Sequence, residues 1–171
     1  SSDTLSIEAR PQVCHSRAGK TAFYSASLEN LENGVDYCYR VRAVSDSTEW
    51  YRFHFQDSID YSFLFFGDIQ EDEDAGFDTL FPAAVRQNSD VQFILFGGDL
   101  IERPTDHYWR ITHQMLDSVK KNYPILSVTG NHEYLKGIER TLEERFPLTF
   151  KYFQKNMEEH GGNALYTFTQ G

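Results

Sequence analysis

The sequence predicts an α/β fold built on a parallel sheet, preceded by a smaller all-β segment. Three observations predict it. Three apolar runs, "FLFFGDIQ" at 63–70, "ILFGGDLIE" at 94–102 and "ILSVTGNHE" at 125–133, each end at a glycine followed by Asp68, Asp99 or Asn131. They recur about every thirty residues, the length of one strand-helix-strand unit. Before them, residues 1–57 carry β-rich and alternating runs with no helical periodicity.

Taken in order, "TAFYSASL" (21–28) and "YCYRVRAV" (37–44) are strand candidates separated by the turn "ENGVD", with Asn33-Gly34 at its centre. "EWYRFHF" (49–55) alternates, with Trp50, Arg52 and His54 on one side and Tyr51, Phe53 and Phe55 on the other. Leu31 followed by Tyr37 resembles the corner of fibronectin-like sandwiches, where a tyrosine hydroxyl ties a loop to the next strand. Such a sandwich needs about 100 residues, so part of one is expected here. "DSID" (57–60) reads as a linker.

Beyond the linker, "YSFLFF" (61–66), "VQFILF" (91–96) and "YPILSV" (123–128) are nearly continuous apolar runs, expected as strands buried on both faces. "GFDTLFPAAVRQNS" (76–89) predicts a helix limited or kinked at Pro82. "PTDHYWRITHQMLDSVKK" (104–121) predicts a second, starting at Pro104, with Tyr108, Ile111, Met115 and Val119 on one face. The result is βαβαβ with a parallel sheet. Ligands then gather beyond the carboxyl ends of the strands, where Asp68, Asp99 and Asn131 all lie. Later, "IERTLEERF" (138–146) predicts a helix and "NALYTFT" (163–169) a strand.

Composition narrows the class. The chain has 171 residues, 40% hydrophobic and 15% aromatic, enough for one good core or one core with an appendage. A net charge of -10 argues against a general nucleic-acid binder, which needs a basic face. No run of apolar residues is long enough to span a membrane. Cys14 and Cys38 lack metal-type spacing and allow either two thiols or one disulfide. The acidic run "EDEDAGFD" (71–78) reads as a solvated loop and an acidic first helical turn, or as an attractor of cations.

A lone Gly-Asp is an ordinary turn signal. Three in register on one sheet edge ask for more, because clustered carboxylates need a positive neutraliser. One or two divalent cations would serve, and Asp and Asn oxygens with an imidazole suit Mn, Fe, Zn or Mg. His132 can face a substrate as acid or hydrogen-bond donor.

"GD", "GGD" and "GNHE", in this order and at these distances, resemble the first three signature blocks of the metallophosphoesterase (calcineurin-like) superfamily. "ASLENLENGVDYCYRVRA" running into "SFLFFGDIQ" is similar to the junction of the fibronectin-like and catalytic domains in purple acid phosphatases. The resemblance implies the first half of a metallophosphoesterase αββα sandwich at 58–171, preceded by part of a fibronectin type III-like β-sandwich at 1–57. The chain would then be a fragment of a larger protein.

It also implies phosphate ester hydrolysis at a dinuclear centre of two divalent or trivalent ions (Mn, Fe or Zn). Asp68 would bind the first metal, Asp99 would bridge both, and Asn131 would bind the second. His132 would touch the phosphate and assist the leaving group. The resemblance further implies that the substrate, small or polymeric, would be a phosphate ester and that the location would be extracytoplasmic.

Two positions depart from the family. Gln70 stands where many members have a histidine ligand, and Glu102 where purple acid phosphatases have a tyrosine. Gln70 joins the candidate metal ligands as an oxygen donor, with Glu102 its alternative. No Gly-His-x-His block follows, and His15, His54, His107, His113 and His160 lack ligand context. A degenerate, non-catalytic binding module is the alternative function.

Overall fold

The computed structural model describes residues 4–16, 19–70, 76–103, 105–128 and 130–133. They fall into two compact units, one within residues 4–31 and one spanning 32–133. The predicted helix at 138–146 and strand at 163–169, and Pro104, lie outside the described residues.

The first unit holds a hairpin of β1 (Arg10–Ser16) and β2 (Gly19–Ser25), antiparallel with Ser16 opposite Gly19. β2 overlaps the predicted strand "TAFYSASL", and β1 has no counterpart among the predicted strands. "RPQVCHS" alternates weakly and carries a proline, so its strand identity comes from its partner.

In the second unit β3 (Val35–Tyr39) pairs antiparallel with β4 (Tyr51–Phe55). The alternation read from β4 holds: Tyr51, Phe53 and Phe55 turn inward, and Arg52 and His54 outward. Tyr37 stacks on Phe53 at 5.5 Å, and the Tyr37 hydroxyl accepts the Glu32 N–H at 2.7 Å, the corner bond that the Leu31–Tyr37 spacing predicted. β3 is shorter than expected. Past Tyr39 the Val41 N–H goes to the Thr48 hydroxyl instead of a ladder carbonyl, so regular pairing stops.

The hairpin is tied to the α/β layer. The Tyr39 hydroxyl donates to the Lys121 carbonyl at 2.9 Å, and the Asn122 amide donates to the Arg52 carbonyl at 2.6 Å. On its solvent face, Asp36 pairs with Arg52 and, at 2.9 Å, with His54.

The α/β layer is β5 (Phe63–Phe66), α1 (Phe77–Gln87), β6 (Phe93–Phe96), α2 (Asp106–Leu116) and β7 (Ile125–Ser127). The strands are parallel in the order β5-β6-β7, with Phe63 beside Phe93 and Ile94 beside Ile125. This is the predicted βαβαβ unit.

α1 covers one sheet face through aromatic edges: Phe66 meets Phe77 at 5.3 Å and Phe81 at 5.5 Å, and Phe81 meets Phe96 at 5.7 Å. Pro82 sits inside α1 without ending it. Its missing N–H leaves one carbonyl in the first turns without its helical donor. α2 starts at Thr105, whose hydroxyl accepts the Tyr108 N–H. It ends at Leu116, earlier than expected, because Asp117 and Val119 bond three residues back and tighten the chain into turns. Val119 is nonetheless buried with Met115 and Leu116, as the predicted face requires.

One expectation is corrected. The apolar runs predicted strands covered on both faces, but in β5 Phe63 is 44% and Phe65 64% exposed. β5 lies at the sheet edge among the described residues, and α1 contacts only the face that carries Phe66. A continuous apolar run reports that both faces can be buried, not which neighbours bury them.

Candidate functional site at three strand tips

Two strands of the parallel sheet, β5 and β6, run at their carboxyl ends into left-handed backbone that carries an acid. After β5, Asp68 has φ 54° and Gln70 φ 46°; after β6, Gly98 has φ 93° and Asp99 φ 51°. Among the described residues four non-glycine residues have positive φ, and three of them are these; Asn30 is the fourth. Left-handed backbone at a non-glycine residue is uncommon and collects at functional sites.

Backbone bonds continue the ladder past the strands. Gly97 N–H donates to Phe66 O at 2.7 Å, Asp68 N–H to Gly98 O at 3.2 Å, and Gln70 N–H to Asp99 O at 2.7 Å. The Gln70 amide then donates to Asp68 Oδ1 at 2.7 Å, so the two residues predicted to share the first metal touch each other.

The third tip is pressed against the second. The His132 N–H donates to Asp99 Oδ1 at 2.7 Å. A Cβ on Gly130 would overlap the Asp99 carboxylate and come within 2.5 Å of its amide nitrogen, so only glycine fits. Asn131, between them, is exposed at the loop surface.

His132 Nδ1 lies 2.8 Å from the Glu102 carbonyl. A carbonyl only accepts, so Nδ1 carries the proton and Nε2 is the nitrogen left for chemistry. The Glu102 carboxylate approaches the same ring at 3.8 Å. Glu102, weighed above as a metal ligand, is thus placed beside His132.

Glu133, to which the sequence pattern alone assigns no role, lies directly beneath these tips in the hydrogen-bond network. It is fully buried, and its carboxylate accepts the N–H groups of Asp99 at 2.9 Å, Leu100 at 2.7 Å, Ile101 at 3.4 Å and Gly130 at 2.7 Å. The signal available was an acid directly after "GNH", but its burial is a tertiary fact.

Among the described residues, no lysine or arginine forms an ion pair with Asp68 or Asp99. Nor do three His, Cys, Asp or Glu side chains gather there into a metal-binding group. The side-chain contacts join Gln70 to Asp68 and the His132 N–H to Asp99, while the first two tips are linked through backbone bonds.

The family model for the calcineurin-like phosphoesterase matches residues 61–169. Among solved structures, a purple acid phosphatase isolated from yellow lupin (Lupinus luteus) seeds is similar in fold, with a TM-score of 0.62 at 16% identity. The match covers 90% of this chain and 34% of that one, so the chain spans about a third of the length of the structure it resembles. No curated protein sequence matches the chain. With three strand tips in the arrangement above and the family model covering well over half of its residues, the chain belongs to the calcineurin-like phosphoesterase family.

Proposed function

We propose that the protein is a metal-dependent phosphoesterase, acting on phosphate monoesters or diesters at a dinuclear centre to which Asp68, Gln70, Asp99, Asn131 and His132 contribute. The observation that carries this reading is the joining of all three tips. Gln70 N–H bonds Asp99 O, and the Asp99 carboxylate takes the His132 N–H.

The donor set fits hard or borderline cations. Carboxylate and amide oxygens lead it, and among the described residues no basic side chain pairs with either carboxylate. Mn, Fe or Zn are the expected ions. When bound, they supply charge neutralisation at phosphate oxygens and lower the pKa of water.

The chain's own residues then divide the work. Asp68 and Gln70 present oxygens from one tip and Asp99 from the next. Its His132 bond keeps the Asp99 carboxylate oriented. His132, with Nδ1 held by a carbonyl, offers Nε2 to the phosphate or to the leaving oxygen, where a proton is needed as the ester bond breaks.

The test uses Asp99→Asn in the full-length protein, which keeps an acceptor for the His132 N–H but removes the charge. Bound metal is measured by mass spectrometry, and turnover with a chromogenic phosphomonoester and diester in Mn, Fe or Zn. Metal in the parent protein, with turnover lost in the variant, is expected. A variant as fast as its parent would remove the assigned bridge. Metal binding without turnover in the parent would favour the non-catalytic module.

A further inference from the structure

We propose that Glu133 is a positioning residue that clasps the loop after β6 to the loop after β7, holding Asp99 and the Asn131–His132 pair in fixed relation. Its relevance to catalysis rests on the phosphoesterase reading above, but the clasp itself is a statement about backbone and can be tested apart from it.

After Gly98 the chain leaves the parallel ladder of β5, β6 and β7, and the N–H groups of Asp99, Leu100 and Ile101 turn to the Glu133 carboxylate. Leu100 and Ile101 are buried, so water cannot replace that acceptor. Buried N–H groups without acceptors are costly, as is a buried carboxylate without donors. Here each problem solves the other: three successive N–H groups converge on one Glu133 carboxylate.

The fourth donor makes this a link between elements. Glu133 Oε2 accepts both Asp99 N–H and Gly130 N–H, one from each loop. Asp99 returns the bond, its Oδ1 accepting the His132 N–H. The two loops therefore hold each other reciprocally, a carboxylate from each taking backbone donors from the other. Gly130 has no room for a side chain, so the loops have little freedom to slide.

The chemistry requires an acid of this length. All four partners are donors, two on each oxygen. An isosteric glutamine must aim its NH₂ at one of those pairs whichever way the amide is flipped. Aspartate is one methylene short of the same N–H groups.

The experiment is amide hydrogen exchange on the full-length protein, with Glu133→Gln and Glu133→Asp as variants. In the parent, the amides of Asp99, Leu100, Ile101 and Gly130 should exchange as slowly as the Ile94 strand amide. In Glu133→Gln they should speed up at least 100-fold relative to Ile94, and kcat should fall by a similar factor with KM little changed. Glu133→Asp should recover only part of both. Parent amides that exchange near the unprotected rate overturn the clasp even if neither variant folds. So does a folded Glu133→Gln with parent-like exchange. Protected amides in a parent that binds no metal and turns over no ester would leave the clasp standing and remove the phosphoesterase reading instead.

Discussion

Gly130 and Asp99 are the pair on which the candidate site turns. A methyl group at Gly130 would occupy space already filled by the Asp99 carboxylate and its amide nitrogen. Gly130→Ala is therefore expected to push that carboxylate aside, weaken metal binding and destabilise the fold by about 1–3 kcal/mol, the usual cost of overpacking. Gly67→Ala is the control. A Cβ there meets nothing nearer than Phe65 Cε1 at 3.6 Å, an ordinary contact. Urea unfolding and metal titration of both variants check the contrast, and equal effects would count against the packing argument. At this scale the sequence was partly legible. Gly-Asp and Gly-Asn-His announced special turns because few residues tolerate such backbone. Glu133 did not announce itself, because an acid is read as exposed until a structure shows four donors around it.

Among the elements, α1 and α2 differ in how they are held. α1 begins at Gly76 without a side-chain cap and depends on its aromatic face. Phe81, fully buried between Phe66, Phe77 and Phe96, is its anchor. Phe81→Ala should cost about 3–5 kcal/mol, as large aromatic deletions in cores do. α2 has a true cap, the Thr105 hydroxyl accepting the Tyr108 N–H. Its bond is long at 3.4 Å, so Thr105→Ala should sit near the low end of the cap range, about 0.5–1 kcal/mol. Denaturant midpoints separate the two, and a capping loss as large as the Phe81 loss would mean the helix roles are misassigned. Both helices were readable from apolar spacing. Their ends were less so, since α2 stops where three-back bonds replace four-back ones.

For the molecule as a whole, His113 gives stability a pH dependence. Burial chiefly, and then Lys120, lowers its pKa from the ordinary value of 6.5. The folded state thus prefers the neutral ring, and its contribution is fully present above the unfolded pKa. Stability should fall as pH drops below about 6.5 and toward the lower folded pKa. His113→Gln should flatten that part of the profile while leaving the carboxylate-driven loss at lower pH. Asp36 belongs to the latter group: its bonds to His54 and then Arg52 hold its pKa below 3.8 on an exposed strand face. Thermal midpoints between pH 5 and 8 make the comparison, and an unchanged slope in the variant would refute the assignment to His113. Among the described residues, no helix is long and apolar enough to cross a membrane.

The sequence by itself determined the alternation of strands and helices, the parallel sheet and the polar residues at the three tips. These follow from local periodicity and from glycine-bounded turns, which neighbouring residues enforce. Only the tertiary structure decided that Phe63 and Phe65 stay exposed, that Glu102 faces His132, and that Glu133 joins two loops. Those outcomes depend on which distant segments supply cover or donors. Burial and hydrogen-bond satisfaction are properties of the assembled chain, and no window of sequence contains them.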